Sequence, residues 1–407
     1  MFAADGLALP RFALQRGDAS CMGCHLNPTG GGLRSLGGEA FSINDLPMWK
    51  RGDKFSGQIS DGIRIGGDYR SQLLMFSEIK PLYSEINKVQ MNTGDTTKKI
   101  SSFHSMSLAF EMDVQATSTL HGFLRYDALG TAPTEGWAIL HFVHTSGEIL
   151  KSGDVVTNSY VKLGSFLPAF GVRFDDHSVY IKGGTGSLSG FSHAGLFWYP
   201  GYRDVGAELG ALFFDHVGLQ VGIFNGSEKF ASNFSTDPSN NKAIAMRLNI
   251  SGELIEDALA GEVGFSNYMH NRDVAGTASN MLLNAVHLGI RAGPVSMLGE
   301  YDFGKNVYTS GRQYMAKVNS KCIEATVRIG KGLDGILRYE TYHEEDATSL
   351  TGSEVKYRFT IGAQWFPIRF LEIRPEYRIA KSSAPYNDTI RSEFDESTFL
   401  VQTHIFF

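Results

Sequence analysis

Glu354-Val355-Lys356-Tyr357-Arg358-Phe359-Thr360-Ile361-Gly362-Ala363-Gln364-Trp365 decides how the rest of the chain is read. In an extended backbone successive side chains point to opposite faces. Val355, Tyr357, Phe359, Ile361, Ala363 and Trp365 then share one face, and Lys356, Arg358, Thr360 and Gln364 share the other. The next segment repeats this, with Leu371, Ile373, Pro375, Tyr377 and Ile379 against Glu372, Arg374, Glu376 and Arg378. So does an early one, with Ile63, Ile65, Tyr69, Ser71 and Leu73 against Arg64, Asp68, Arg70 and Gln72. Strands of soluble sandwiches run to about 5–6 residues. Alternation over about 10 residues is the length of a tilted strand that crosses a bilayer.

Working outward, the same pattern predicts strands near 62–76, 102–115, 118–128, 137–145, 155–165, 203–214, 216–225, 241–251, 258–269, 281–292, 295–304, 313–330, 333–342, 354–366, 370–381 and 395–407. The fold class expected is therefore all-β: a roughly 16-stranded transmembrane antiparallel β-barrel, an even count as in bacterial barrels. Connections mostly alternate long (77–101, 166–202, 226–240, 343–353, 382–394) and short (116–117, Asp215, Gly293-Pro294, 367–369); 146–154 breaks the rule. Long external loops and short periplasmic turns put both termini on the periplasmic side. The longest connection, 166–202, is rich in aromatic residues and is expected to fold into the lumen and narrow it.

Composition agrees. Apolar residues make up 42% of the 407 positions, charged residues 20% and aromatics 12%, which suits aromatic-girdled strands. The net charge of −6, with no basic tract, points away from nucleic acid. No run of eighteen apolar residues exists, so a membrane-spanning helix is not expected. Three cysteines are no disulfide framework, and Cys322, inside a strand pattern, reads as a packed thiol.

Residues 1–56 stand apart from the barrel, expected over 57–407. They are dense in glycine and too few to build much core alone. They contain Cys21-Met22-Gly23-Cys24-His25, the attachment signature of a c-type haem. Cys21 and Cys24 would form the thioethers, and His25 would ligate the iron from the proximal side. A zinc half-site needs a second ligand pair, which does not follow, and a redox pair needs a βαβ context. One covalent haem c implies a compartment outside the cytoplasm. The start, Met1-Phe2-Ala3-Ala4-Asp5, carries no basic or apolar leader and reads as a mature exported chain.

The second axial ligand is open at this point. Met48, in Leu46-Pro47-Met48-Trp49, would raise the reduction potential as a thioether. His121 and His404 are alternatives because strand parity turns both into the lumen. An iron with no second protein ligand is the remaining case. Parity also lines the lumen with Arg64, Arg70, Arg125, Arg247, Arg291, Arg328, Arg338, Arg358, Arg374 and Arg378, mostly as salt-bridged wall. Arg34 is a candidate partner for haem propionates. His343-Glu344-Glu345-Asp346 and Asp175-Asp176-His177 are candidate external contacts for ferrous iron, against the reading as solvated loops.

Leu9-Pro10-Arg11-Phe12-Ala13-Leu14-Gln15 ahead of the Cys21–His25 motif, the barrel pattern, and a last strand ending flush at Phe407 together resemble one family. It is the fused outer-membrane monohaem cytochrome–porins, known from iron-oxidising bacteria. The resemblance implies a haem-binding plug in a porin-like barrel of the bacterial outer membrane. It implies electron transfer across that membrane, with ferrous iron oxidation at the cell surface as an open role. Membrane lipid, a periplasmic cytochrome or other carrier, and extracellular iron or mineral would be the partners. The alternative is a diffusion porin whose lumen the haem segment plugs or gates. Haem catalysis on peroxide or nitrogen oxides has no marked distal acid–base residue behind it.

Overall fold

A computed structural model describes residues 12, 14, 21, 24–28, 33–49, 57–84, 98–129, 135–144, 156–172, 179, 181, 203–226, 241–256, 258–274, 277–308, 315–346, 354–387 and 390–407. A helix, α1 (Leu36–Asn44), precedes the strands. The strands are β1 (Gln58–Ser60), β2 (Ile63–Ser84), β3 (Lys98–Gln115), β4 (Leu120–Asp127), β5 (Glu135–His144), β6 (Val156–Phe166), β7 (Asp204–Phe213), β8 (Val217–Phe224) and β9 (Ala243–Ile255). They continue with β10 (Leu259–Val274), β11 (Thr277–Ala292), β12 (Val295–Tyr308), β13 (Met315–Gly330), β14 (Leu333–Asp346), β15 (Glu354–Ile368), β16 (Leu371–Asn387) and β17 (Ile390–Phe406).

From β2 to β17 each strand pairs antiparallel with the next. β17 then returns to β2, from Ser392↔Ser84 to Phe406↔Asp68, and closes the ring. Among the described residues this is a closed barrel of sixteen strands, β2 to β17; β1 is a short addition on β2. Closure leaves no open sheet edge in the bilayer, where an unpaired peptide group would cost several kcal/mol. No described helix is long and apolar enough to cross a membrane; the crossing is made by strands.

The burial pattern is that of a membrane barrel. Leu209, Leu288, Leu337 and Ile361 are each more than half exposed on the outer wall. Their chain neighbours Glu208, His287, Arg338 and Thr360 are buried inside. A water-soluble protein has the opposite polarity. Inside, arginines stand directly across the ladder from carboxylates. Glu111↔Arg125, Glu324↔Arg338 and Glu340↔Arg358 are register pairs, with N···O distances of 2.6, 2.7 and 2.6 Å.

Glu340 is fully buried, and Arg358 approaches it through both Nε and Nη2. Removing one partner of such a pair strands the other charge. Glu340→Ala is therefore expected to cost about 3–5 kcal/mol. Urea titration in lipid vesicles, followed by tryptophan fluorescence, reads it. Leucine at both Glu340 and Arg358 is expected to recover most of the loss, and a double variant as unstable as the single would sink the account.

Turns at one end are tight. Phe214 and Asp215 both have positive φ, and His216 N–H donates to Phe213 O at 3.0 Å, a type I′ hairpin. The β6–β7 connection leaves from the other end and enters the lumen. Gly171 N–H donates to Ser266 Oγ on β10 at 2.9 Å, and Val172 N–H donates to the Glu300 carboxylate on β12. Arg247 Nε on β9 donates to Gly171 O at 3.0 Å. Gly171 has φ +56°, and a Cβ there would overlap the Glu300 carboxylate, so only glycine lets the loop pass. Val172, Val179 and Ile181 form a buried cluster with Leu298 and Cys322. The expected narrowing loop thus lies across the lumen in its described part, and Cys322 is a packed thiol.

The N-terminal segment sits inside the opposite, tight-turn end. Phe12, Cys24, Phe41 and Leu46 share a buried cluster with Phe366 and Phe406 at the ends of β15 and β17. Met48 N–H donates to Phe366 O at 2.8 Å, and Lys331 Nζ donates to Asn44 O at 2.6 Å. Residues 50–56, where the two parts of the chain were expected to meet, lie outside the described residues.

Candidate functional site

Cys21, Cys24 and His25 lie on a single turn. The backbone N–H groups of Cys24 and His25 both donate to Cys21 O, at 3.2 and 2.9 Å. Cys21 is half-buried, and Cys24 and His25 are buried. A spacing of three residues on such a turn brings both thiols to one side with the imidazole next to them.

The turn is clamped from the C-terminal side. Ser35 N–H donates to Cys24 O at 2.7 Å, Leu26 N–H donates to Leu33 O at 3.1 Å, and His25 bridges antiparallel to Arg34. Ser35 then caps α1, its Oγ accepting from Gly38 N–H at 3.3 Å. A Cβ on Gly38 would stand 2.3 Å from Cys24 O, so the helix can press on the motif only through glycine.

The segment is tied to the wall on two sides. Arg64 Nη1 on β2 donates to Arg34 O at 3.2 Å, and Lys162 Nζ on β6 donates to Asn27 Oδ1 at 3.3 Å. Lys162 also pairs with Glu208 at 2.9 Å. The Arg34 guanidinium lies 4.4 Å from the centre of the Phe406 ring. Burial pushes Arg34 down to about 10, with the Cys24 thiol and Glu39 pulling it back, so it stays charged at neutral pH. Burial also raises the Glu39 carboxyl, offset by Arg369 at 3.7 Å and by Arg34.

These residues fit a c-type haem. Two thiols and an imidazole share a turn, aromatic rings crowd one flank, and the half-buried Arg34, a cation suited to a carboxylate, lies against Phe406 of that flank.

The three candidates for the far side of the iron are spread around the wall. Met48 is half-buried and held by backbone at the β15–β16 turn, beside Trp49, whose N–H donates to Pro367 O at 3.1 Å. His404 has a carboxylate on each ring nitrogen: Glu372 at 3.2 Å and Asp68 at 3.0 Å. His121 stands on β4 with Nδ1 3.6 Å from Asp113 and its ring edge-on to His141 at 6.0 Å. His141, Asp113 and the stacked pair Phe123–Trp137 (centroids 4.9 Å apart) complete this wall and were not singled out by sequence. On β5 both faces are apolar, with Trp137 and Ile139 buried and Leu140 and Phe142 exposed, so alternation there marks neither side as lumen.

One expectation is corrected. His343-Glu344-Glu345-Asp346 is the end of strand β14, not a loop. Glu344 is buried and accepts from Tyr342 Oη at 3.1 Å, while Glu345 on the other face is open to water and 3.4 Å from Lys317. Strand alternation puts Glu344 and Glu345 on opposite faces. Among the described residues no three His, Cys, Asp or Glu side chains gather as a metal site. Asp175, Asp176 and His177 lie outside the described residues.

The structure is similar to that of OprB from Pseudomonas putida, with a TM-score of 0.53 and 12% identity, covering 90% of this chain and 100% of that one. The outer membrane channel DcaP of Acinetobacter baumannii (TM-score 0.48, 12% identity, 87% and 100% covered) and OmpT of Vibrio cholerae (0.47, 10%, 86% and 99%) overlay less closely. No family model and no curated protein matches the chain. At these identities the likeness is one of fold, and the fold, with its apolar outer belt, is the closed β-barrel of the bacterial outer-membrane porins.

Proposed function

We propose that the chain is an electron conduit of the outer membrane, with a c-type haem attached at Cys21 and Cys24 and ligated by His25. The observation that carries this reading is the single turn bearing all three side chains inside the barrel, beside Phe366 and Phe406 of its wall. When bound, the haem supplies one-electron chemistry between ferrous and ferric iron. The chain's own residues do the rest. Phe12, Phe41, Phe366 and Phe406 keep water from one flank. Arg34, half-buried against Phe406, offers a positive charge to a propionate. The closed barrel insulates the passage from lipid. A periplasmic cytochrome or another soluble carrier takes the inner end, and ferrous iron or a mineral the outer end.

The second reading is a diffusion porin whose lumen the N-terminal segment plugs or gates. The likeness in fold to outer-membrane porins favours it. One experiment separates the two. In liposomes, the purified full chain is given external ferrous iron while the reduced-minus-oxidised spectrum and vesicle swelling in small sugars are recorded together. The conduit reading expects haem reduction in vesicles that stay tight. Free swelling with no haem signal would overturn it in favour of the porin.

A further inference from the structure

We propose that His121 is the second axial ligand of the haem iron and that Asp113 is the carboxylate that orients its ring. This rests on the haem reading above.

Two of the segment's contacts with the wall bracket these residues. Arg64, which holds Arg34 O, is the register partner of Asp113. Lys162, which holds Asn27, is the register partner of Ile139, and Ile139 is also the partner of His121. His121, Ile139 and Lys162 therefore form one row across β4, β5 and β6. His25 lies two residues before Asn27 and bridges Arg34, so it stands beside both contacts. Between β2 and β6, two strands present an imidazole on this wall: β4 with His121 and β5 with His141, whose rings lie 6.0 Å apart.

The local chemistry agrees. A histidine bound to a metal through one nitrogen almost always gives the other to a carboxylate or carbonyl, which fixes its tautomer and its orientation. His121 has Nδ1 nearest the buried Asp113 at 3.6 Å, just beyond hydrogen-bond distance, and among the described residues that nitrogen has no hydrogen-bond partner. The neighbouring His141 turns Nδ1 to Asn158 Oδ1 at 3.4 Å and braces the His121 ring from the side. His404 is held by carboxylates on both nitrogens, and Met48 is held on the far side of the β17–β2 seam, at the β15–β16 turn.

The test is the spin state of the ferric haem in the purified full chain, by visible and electron paramagnetic resonance spectra. Wild type is expected to be low-spin with two nitrogen ligands and no methionine–iron charge-transfer band. His121→Ala is expected to keep its covalent haem, turn high-spin, and return to low-spin on addition of imidazole. Asp113→Asn is expected to stay low-spin with a raised reduction potential, because the ligand loses electron density when its carboxylate partner goes. Met48→Leu and His404→Gln are expected to leave the spectrum alone. An unchanged low-spin spectrum in His121→Ala overturns the assignment. Should that variant not assemble, His121→Met serves: a methionine–iron band supports the assignment, and a wild-type spectrum overturns it. A wild type without covalent haem overturns the haem reading itself, an outcome distinct from a haem whose ligand lies elsewhere.

Discussion

Alanine at both Cys21 and Cys24 is expected to give a barrel that still inserts but carries no covalent haem. Haem staining after denaturing electrophoresis and the alkaline pyridine spectrum would both fall from full signal to background. Neither thiol takes part in the strand ladder. Closure runs through β17 and β2, whose register from Ser392↔Ser84 to Phe406↔Asp68 does not involve the segment. The backbone clamp of the motif also survives, because Ser35 N–H bonds to the carbonyl of residue 24 and not to its side chain. The change removes a small apolar contact in the cluster of Phe12, Phe41, Leu46, Phe366 and Phe406, and both sites of covalent attachment. Heat-modifiable mobility on gels reports the barrel, and the stain reports the haem. Staining at wild-type level in the double variant would sink the motif reading.

How far the fold was legible follows from where the alternation acts. All sixteen barrel strands were legible because the outer face must be apolar only where lipid touches it. The expected strands stop short at the loop end for the same reason. The reading of 258–269 became Leu259–Val274, 333–342 became Leu333–Asp346, and 370–381 became Leu371–Asn387. Beyond the hydrocarbon no lipid demands an apolar outer face, so polar runs such as Asn271-Arg272-Asp273 and Glu344-Glu345-Asp346 are strand without apolar–polar alternation in the sequence. The acidic run after Tyr342 was read as a loop on that account.

The turn that carries Cys21, Cys24 and His25 follows from the local sequence, whereas its surroundings do not. The spacing of Cys21, Cys24 and His25 is a local signal, because one turn decides it. What faces that turn depends on register between strands. Asp113 stands beside His121 because Asp113 pairs with Phe123, two residues on from His121. Lys162 reaches the same row only through Ile139. No period within a single strand carries such information. His404 looked as eligible as His121 from parity alone, and only the carboxylates Asp68 and Glu372 on neighbouring strands distinguish them.

Removing residues 1–56 is expected to turn a tight barrel into an open one, with sugar-driven swelling of liposomes rising from background to the rate of a free aqueous channel. Barrels of 16–18 strands are wide enough to leave such a channel unless something fills it. Two elements fill this one. The segment occupies the tight-turn end through Phe12, Cys24, Phe41 and Leu46, and the β6–β7 connection crosses the lumen from the other end. Among the described residues the connection is held where Gly171 and Val172 meet Ser266, Arg247 and Glu300, and where Val179 and Ile181 pack on Leu298 and Cys322. It narrows the passage there, and the described contacts to Arg64 and Lys162 come from the N-terminal segment. The truncated chain keeps every strand pairing from β2 to β17, so retained heat-modifiable mobility is the control for folding. The variant with alanine at Cys21 and Cys24 keeps the segment and should stay tight, which separates filling of the lumen from haem chemistry. If the truncated barrel stays tight as well, the seal lies in the connection. Glu300→Ala, which takes away the acceptor of Val172 N–H, is then the change that opens it.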